Sequence, residues 1–493
     1  MVDMGYDVED HKVVDPLFGD IEDYKKLLAA AKEKGLKLII DFVPNHSSDL
    51  SVWFKLSEQR IEPYTDYYVW RDAKPINTTH STVPNNWRCR FGGSAWEWNE
   101  KRQQYYLHQF AVQQPDLNYR SANVRKEMEM LFEGADFEDE PPNPDFKGGD
   151  NDAVSVLHIY TDRQPENYEL IQSWRRLLDE YTKKDGVTRV MCTEDCVETT
   201  ELVKYFGNSS SPGSHVPFYL LQAYADHEWN ATTLDQYVHA EIDIYPEGSY
   251  NWVLDNHDNP RSSARFCEES MDSWNMLTLL MPGVASIYYG SELGMLDINP
   301  RHDQRQDPLN GAGTRSDPRD SSRAPMLWDH TKNVSRQLTN RGYHVHPNYW
   351  RGNVKSQEQD PSSHLNIFKR LVTLRKTPVA MHGDLKTYVL NTWVYMFTRS
   401  INDETIAVLM NVGSETEEIC DLRITVKELP EIVYVHTASI NSVIKIGDKV
   451  NFTGPECLYM RPQSGLVLAK SHGIAVSSSI VVLLATICSR MLL

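Results

Sequence analysis

Cysteine, positive charge and long apolar runs are all scarce in this sequence of 493 residues. The seven cysteines (Cys89, Cys192, Cys196, Cys267, Cys420, Cys457 and Cys488) form no C-x-x-C pair. Cys192 and Cys196 have no second cluster at zinc-ligand spacing, so a structural zinc site is not expected. A disulfide-stapled mini-domain is excluded by length. Basic residues number 50 against 69 acidic ones, a formal charge of −19. That field repels phosphate, so neither a nucleic acid nor an anionic membrane face is expected as a partner. A neutral small ligand needs no such field. What the sequence does hold is 40% hydrophobic and 10% aromatic residues, enough for two or three packed domains.

The two ends carry different signals. The first twelve residues, MVDMGYDVEDHK, have neither the basic nor the apolar region of a signal peptide. Residues 480–488 are an apolar run after the small residues Ser477, Ser478 and Ser479. That run is shorter than the roughly 20 residues a spanning helix needs. It has the form of a removable lipid-anchor signal, so an anchor of the glycosylphosphatidylinositol (GPI) type is expected. Asn77, Asn208, Asn230, Asn333 and Asn451 begin N-x-S/T triplets and suggest a glycoprotein of the extracellular space or cell surface.

Along the chain, helices alternate with short apolar strands. Asp20 suits an N-cap. Ile21, Tyr24, Leu27, Leu28 and Ala31 form one stripe, and Gly35 stops the helix. Residues 36–43 then run apolar with little alternation, as a strand buried on both faces does. Asp41, Asn45 and His46 stand at its carboxyl end. Residues 188–192 lead into Glu194, 251–254 into Asp255 to Asp258, and 285–289 into Glu292. Helices are expected at 168–181 and 271–280 between them. Polar groups gathered at strand C-termini are how an α/β TIM barrel, (β/α)8, presents an active site. A doubly wound sheet would carry a Gly-rich first turn, and none appears. Residues 50–118, rich in Trp, Tyr and Asn, read as a small inserted domain. Residues 134–152 are acidic and rich in Pro and Gly, which suggests a mobile surface loop. After Pro378 the period becomes two, and strands are expected at 385–400, 405–411, 432–435 and 466–468, with 365–375 as a linking helix. The expected organisation is a discontinuous barrel (1–49 and 119–378), the inserted domain (50–118), a C-terminal antiparallel β domain (379–470) and the tail (471–493).

The strand ends hold carboxylates, histidines and asparagines, with no Ser-His pair and no phosphate loop. Carboxylates among aromatics suit a sugar, where an acid protonates a glycosidic oxygen. DFVPNH (41–46), QPDLNY (114–119), Glu194 in RVMCTE, NHDNPR (256–261) and YYGSELGM (288–295) stand in the order seen in the α-amylase superfamily. GYD (5–7), RAPMLWD (323–329) and SSHLNIFKRL (362–371) narrow the likeness. Over almost the whole chain the sequence resembles the insect-type maltases, extracellular α-glucosidases of that superfamily.

The resemblance implies retaining hydrolysis of terminal α-linked glucose from maltose-like oligosaccharides. Glu194 matches the acid/base and Asp258 the transition-state stabiliser. Asp7, His46, His257 and Arg261 match substrate-binding residues. Asn45, Asp116, the carbonyl of Leu131 and Glu133 match a structural calcium site, with the hard oxygen ligands calcium takes. No organic cofactor is implied. Asp41 reads equally well as a buried, hydrogen-bonded carboxylate. One motif is missing: the G-F-R-x-D that supplies the family's nucleophile from a fourth strand. The sequence runs from Met130 directly into Leu131. Asp195, Asp136, Asp139, Asp145 and Asp150 are not expected to replace it. Further barrel strands and a leader are expected upstream of Met1. The alternative to an active enzyme is therefore a catalytically inactive homologue or splice form that binds at the cell surface.

Overall fold

The computed structural model describes residues 2–77, 81–128, 137–307, 319–331, 346–420, 422, 426, 429–451, 457–470 and 484–486. Its centre is a set of short parallel strands joined by helices. Cys192–Glu194 pairs in parallel with Val216–Phe218, Cys192 opposite Val216 and Glu194 opposite Phe218. Asn251–Val253 pairs in parallel with Val284–Tyr288. Leu484–Thr486 pairs in parallel with the other side of that last strand, against Ser286 to Tyr288. Parallel neighbours need crossovers. For these two pairs they are the helical turns Thr199–Leu202 and Val203–Phe206 and the helix Met271–Leu280, and the helix Ala231–Ile242 leads from the first pair to the second. The two strand pairs are stitched by the buried side chain of Asn251. It accepts from the Tyr219 N–H and donates to the Pro217 carbonyl.

The helix Met271–Leu280 spans the range its apolar sequence predicts, and all ten of its residues are buried. The reason is its position between two layers. Trp274, Met276 and Leu277 share one core with Trp252 and Ile287 of the barrel and with Tyr395, Phe397, Val408 and Val467 of the C-terminal sheet. That sheet has six antiparallel strands, in the order Asp384–Val389, Val394–Ile401, Glu404–Asn411, Gly465–Ala469, Ile432–Ala438 and Lys449–Asn451. A second core, with Val394, Met396, Leu409 and Leu466, fills its other face. Two buried charged groups tie the layers together. Asp272 pairs with His364 Nδ1 at 2.8 Å and accepts from the Ile440 N–H. The disulfide Cys420–Cys457 lies beside the short pairing of Glu417–Ile419 with Leu458–Met460.

Within residues 50–118, Trp70–Arg71, Gln104–Leu107 and Trp96–Asn99 form a small sheet. One face is an aromatic cluster of Phe54, Tyr67, Tyr68, Trp70 and Tyr106.

Three expectations are corrected by the structure. Residues 36–43 form no strand. Leu36 is 62% exposed and Phe42 49% exposed. A strand persists only where a neighbour takes its backbone hydrogen bonds, and no described strand pairs with this segment. Residues 188–191 likewise lie outside the strand, which begins only at Cys192, although the Met191 carbonyl already accepts from the His215 and Val216 N–H groups. The acidic stretch is anchored at its start: Phe137 stacks on Trp87, Asp139 accepts from the Asn86 N–H, and Glu140 is buried. No described helix is long and apolar enough to cross a membrane.

Candidate active site

The turn after Asn251–Val253 is fixed by its own polar residues. Asn256 Oδ1 accepts from the N–H groups of Asp258 and Asn259. Buried Asp255 accepts from the Ser262 N–H and the Ser291 hydroxyl, and pairs with Arg265. The sequence N-H-D-N-P therefore closes into a rigid turn that carries His257 and Asp258.

Asp258 lies in a cationic grip. Its Oδ1 accepts from Arg319 Nη1 at 3.0 Å and Arg323 Nη2 at 2.7 Å. Burial alone would raise its pKa, but His257, Arg323 and Arg319 override that and hold the carboxyl well below its ordinary range. Arg319 also bridges Asp3 at 2.8 Å and Asp307 at 2.7 Å. Arg323 donates its Nε–H to the His257 carbonyl.

Glu194 is the last residue of its strand and is exposed, with the carboxylates of Asp258, Asp41 and Asp195 near it. Desolvation first, then the charges of Asp258, Asp41 and Asp195, push its pKa up to about 7. Two carboxyls at strand ends are thus driven apart, one proton-bearing near neutrality and the other ionised.

The GYD segment covers the same end. The Tyr6 hydroxyl lies 2.8 Å from His257 Nε2, and the two rings stack with centroids 5.6 Å apart. His46 donates from Nε2 to the Tyr6 carbonyl and accepts at Nδ1 from Asn45. Burial lowers the pKa of His46 to about 4, so it is neutral. Asp7 is buried and accepts from the N–H groups of Val2 and Asp3. Asp7, His46, His257, Asp258 and Glu194 therefore belong to one end of the strand layer. Asp41, weighed as a buried carboxylate, is exposed because its segment has no strand partner.

Arg261 departs from the expectation of a sugar contact. Its guanidinium is buried, donates to the carbonyls of Tyr289 and Ser322, and sits over the rings of Tyr288 and Tyr289. It braces the turn from inside.

For the cation expectation, Asp116 is fully buried and accepts from Asn45 Nδ2 and from Gln109. No cationic side chain pairs with it among the described residues, and burial pushes its pKa up to about 7. An uncompensated buried carboxylate beside an amide fits a hard divalent ion. Leu131 and Glu133 lie outside the described residues.

A sequence profile described as "Alpha amylase, catalytic domain" matches residues 1–383. The chain belongs to the α-amylase family. Maltase A1 of Drosophila melanogaster is 36% identical over 501 residues, covering 92% of this chain and 85% of that protein. Maltase 1 of Drosophila virilis is 34% identical, covering 95% and 78%. Among solved structures, the α-glucosyl transfer enzyme XgtA superposes with a TM-score of 0.77 at 25% identity, covering 95% of this chain and 89% of that one. The fold is accordingly the TIM barrel of the α-amylase family with a C-terminal antiparallel sheet.

Sequence reasoning missed Arg319 and Asp3 in this α-amylase-family site, and quoted Tyr6 and Arg323 only as parts of the GYD and RAPMLWD motifs. A signal was present: a cluster of carboxylates needs cations, and Arg319 and Arg323 stand in the DPRDSSR run that follows the last barrel strand.

Proposed function

We propose that this α-amylase-family chain is an α-glucosidase that releases terminal glucose from maltose-like oligosaccharides. The observation that carries the reading is the divergence of two carboxyls at one end of the barrel, Glu194 near 7 and Asp258 held ionised. That is the pairing glycoside hydrolysis uses. Glu194, still partly protonated at neutral pH, donates to the glycosidic oxygen as the bond breaks. Asp258, fixed by Arg319 and Arg323, stabilises the positive charge that develops on the sugar ring. Tyr6 and His257 form a wall beside it. A retaining course also needs a carboxylate nucleophile about 5–5.5 Å from the acid. The G-F-R-x-D motif that supplies it in the family is absent from this sequence, so turnover requires another carboxylate beside Glu194.

The test compares the purified chain with Glu194→Gln on a chromogenic α-glucoside. Loss of general acid catalysis is worth about 10²–10⁴-fold in rate. The expected result is turnover that falls by that factor in the variant, with an alkaline limb near pH 7 as Glu194 loses its proton. Turnover no higher than the variant overturns the reading and leaves a sugar-binding homologue.

Calcium is part of the proposal as a structural ion. Asn45 and Asp116 would hold it, and the ion would supply the charge that Asp116 lacks. An extracellular or cell-surface location is supported by the disulfide Cys420–Cys457, since such bonds persist in oxidising compartments. A lipid anchor after the small residues Ser477 to Ser479 would remove Leu484–Thr486 and with it their pairing to the strand Val284–Tyr288, so the anchored protein loses that contact. Release from cells by a phosphatidylinositol-specific phospholipase is the test of the anchor.

A further inference from the structure

We infer that Asn208 is an N-glycan acceptor whose amide is presented by a rigid turn on the face of the barrel opposite the active site. The inference rests on the extracellular reading only for the route that delivers the sugar.

The turn is closed by two backbone hydrogen bonds between Asn208 and Ser211, 3.0 and 3.2 Å, with Gly207 and Pro212 bridged beneath it. Gly207 has φ +68, and a Cβ there would lie 2.3 Å from the Ser211 carbonyl oxygen. Only glycine fits. Ser211 fastens the turn to the helix Pro165–Asp185 through a 2.6 Å hydrogen bond to Gln172.

The side chain of Asn208 is oriented as firmly as its backbone. Its Oδ1 accepts from the Ser210 N–H at 3.0 Å, the Ser210 hydroxyl at 2.6 Å and the Ser211 N–H at 2.9 Å. Three bonds on the oxygen fix the amide plane. Nδ2 has no protein partner among the described residues, and Asn208, Ser209 and Ser210 are all exposed. The turn precedes the strand Val216–Phe218, whereas Glu194 stands opposite that strand's last residue, Phe218. A glycan on Asn208 is therefore clear of the cleft.

Asn230 makes the contrast. It is half-buried and caps the helix Ala231–Ile242 through the Thr233 N–H. The next residue, Ala231, is fully buried and donates to the Thr392 carbonyl of the C-terminal sheet. Asn333, and the hydroxyl residues completing the triplets at Asn77 and Asn451, lie outside the described residues.

The donor is an oligosaccharide on a polyprenyl pyrophosphate. Asn208 Nδ2 forms a bond to the sugar C1, the C1–O bond to the pyrophosphate breaks, the lipid pyrophosphate leaves with that electron pair, and the amide loses one proton.

The experiment expresses the full chain behind a cleavable secretion leader in eukaryotic cells, so failure of the chain's own targeting is not read as failure of the site. Both the secreted pool and the microsome-protected pool are treated, without denaturation, with peptide-N-glycosidase in heavy-oxygen water. Mass spectrometry is expected to find labelled aspartate at position 208 and none at 230. Asn208→Gln is expected to lose one glycan step on a gel and to keep the parent's turnover. An unlabelled Asn208, or label there only after denaturation, overturns the inference. So does label at 230 with none at 208.

Discussion

Two regions of this molecule carry the same kind of sequence and end in different states. Residues 21–43 hold a helix followed by a continuous apolar run, and so do residues 271–288. In the second region every residue of the helix is buried and the run becomes the strand Val284–Tyr288, paired on both sides. In the first, the helix Ile21–Glu33 forms with a full capping box at Asp20, yet only Ala31 is buried. Leu27, Leu28, Leu36, Ile39, Ile40 and Phe42 stay exposed. Capping and propensity are local and were sufficient for the helix. A strand has no hydrogen bonds of its own to make, so neighbours decide whether an apolar run becomes one.

Four substitutions sharpen that contrast. The largest effect is expected for Asp272→Ala in the packed region. It leaves His364 without its buried partner and the Ile440 N–H without its acceptor, a loss of about 3–5 kcal/mol by denaturant unfolding. The same variant reports on pH. Burial opposes the imidazolium, but Asp272 outweighs it and raises the His364 pKa. A raised histidine stabilises fully below its unfolded value and loses that stability as pH rises through the folded one. This pH dependence is expected to vanish in the variant.

Leu277→Ala follows, at about 2–5 kcal/mol, because the side chain is enclosed and the cavity cannot collapse. Third is Glu241→Gln. Glu241 is fully buried, accepts from the Asn251 N–H, and burial raises its pKa well above the ordinary value. Above the unfolded carboxyl pKa, the unfolded state ionises while the folded state stays protonated, so stability falls by up to about 1.4 kcal/mol per pH unit. Glutamine is expected to flatten that slope in melts taken from pH 5 to 7. The smallest effect belongs to the open region. Ile40→Lys, on a side chain already in water, is expected to change stability by no more than about 0.5 kcal/mol and to lower aggregation measured by light scattering. A loss comparable with that of Leu277→Ala would show that 36–43 is packed in solution and would break the comparison.

Much of the candidate site was legible because its motifs are local. N-H-D-N-P closes its own turn through Asn256, so His257 and Asp258 were found from sequence. Glu194 was found because it ends an apolar run. The cations were less visible. Arg319 touches Asp3 and Asp258, which are distant along the chain, and no periodicity links them. Arg261 misled for the converse reason: it adjoins the motif, but its backbone turn points it inward to the carbonyls of Tyr289 and Ser322.

By itself, then, the sequence determined the helices, their caps, the alternating strands of the C-terminal sheet and the acid residues at the strand ends. These follow from periodicity, capping and turn chemistry, which act over a few residues. Tertiary structure alone decided that 36–43 stays open, that Arg319 and Arg323 hold Asp258 ionised, and that desolvation leaves Glu194 a proton near neutral pH. Each of those depends on what distant segments place beside a group, and both burial and electrostatic coupling act through space rather than along the chain.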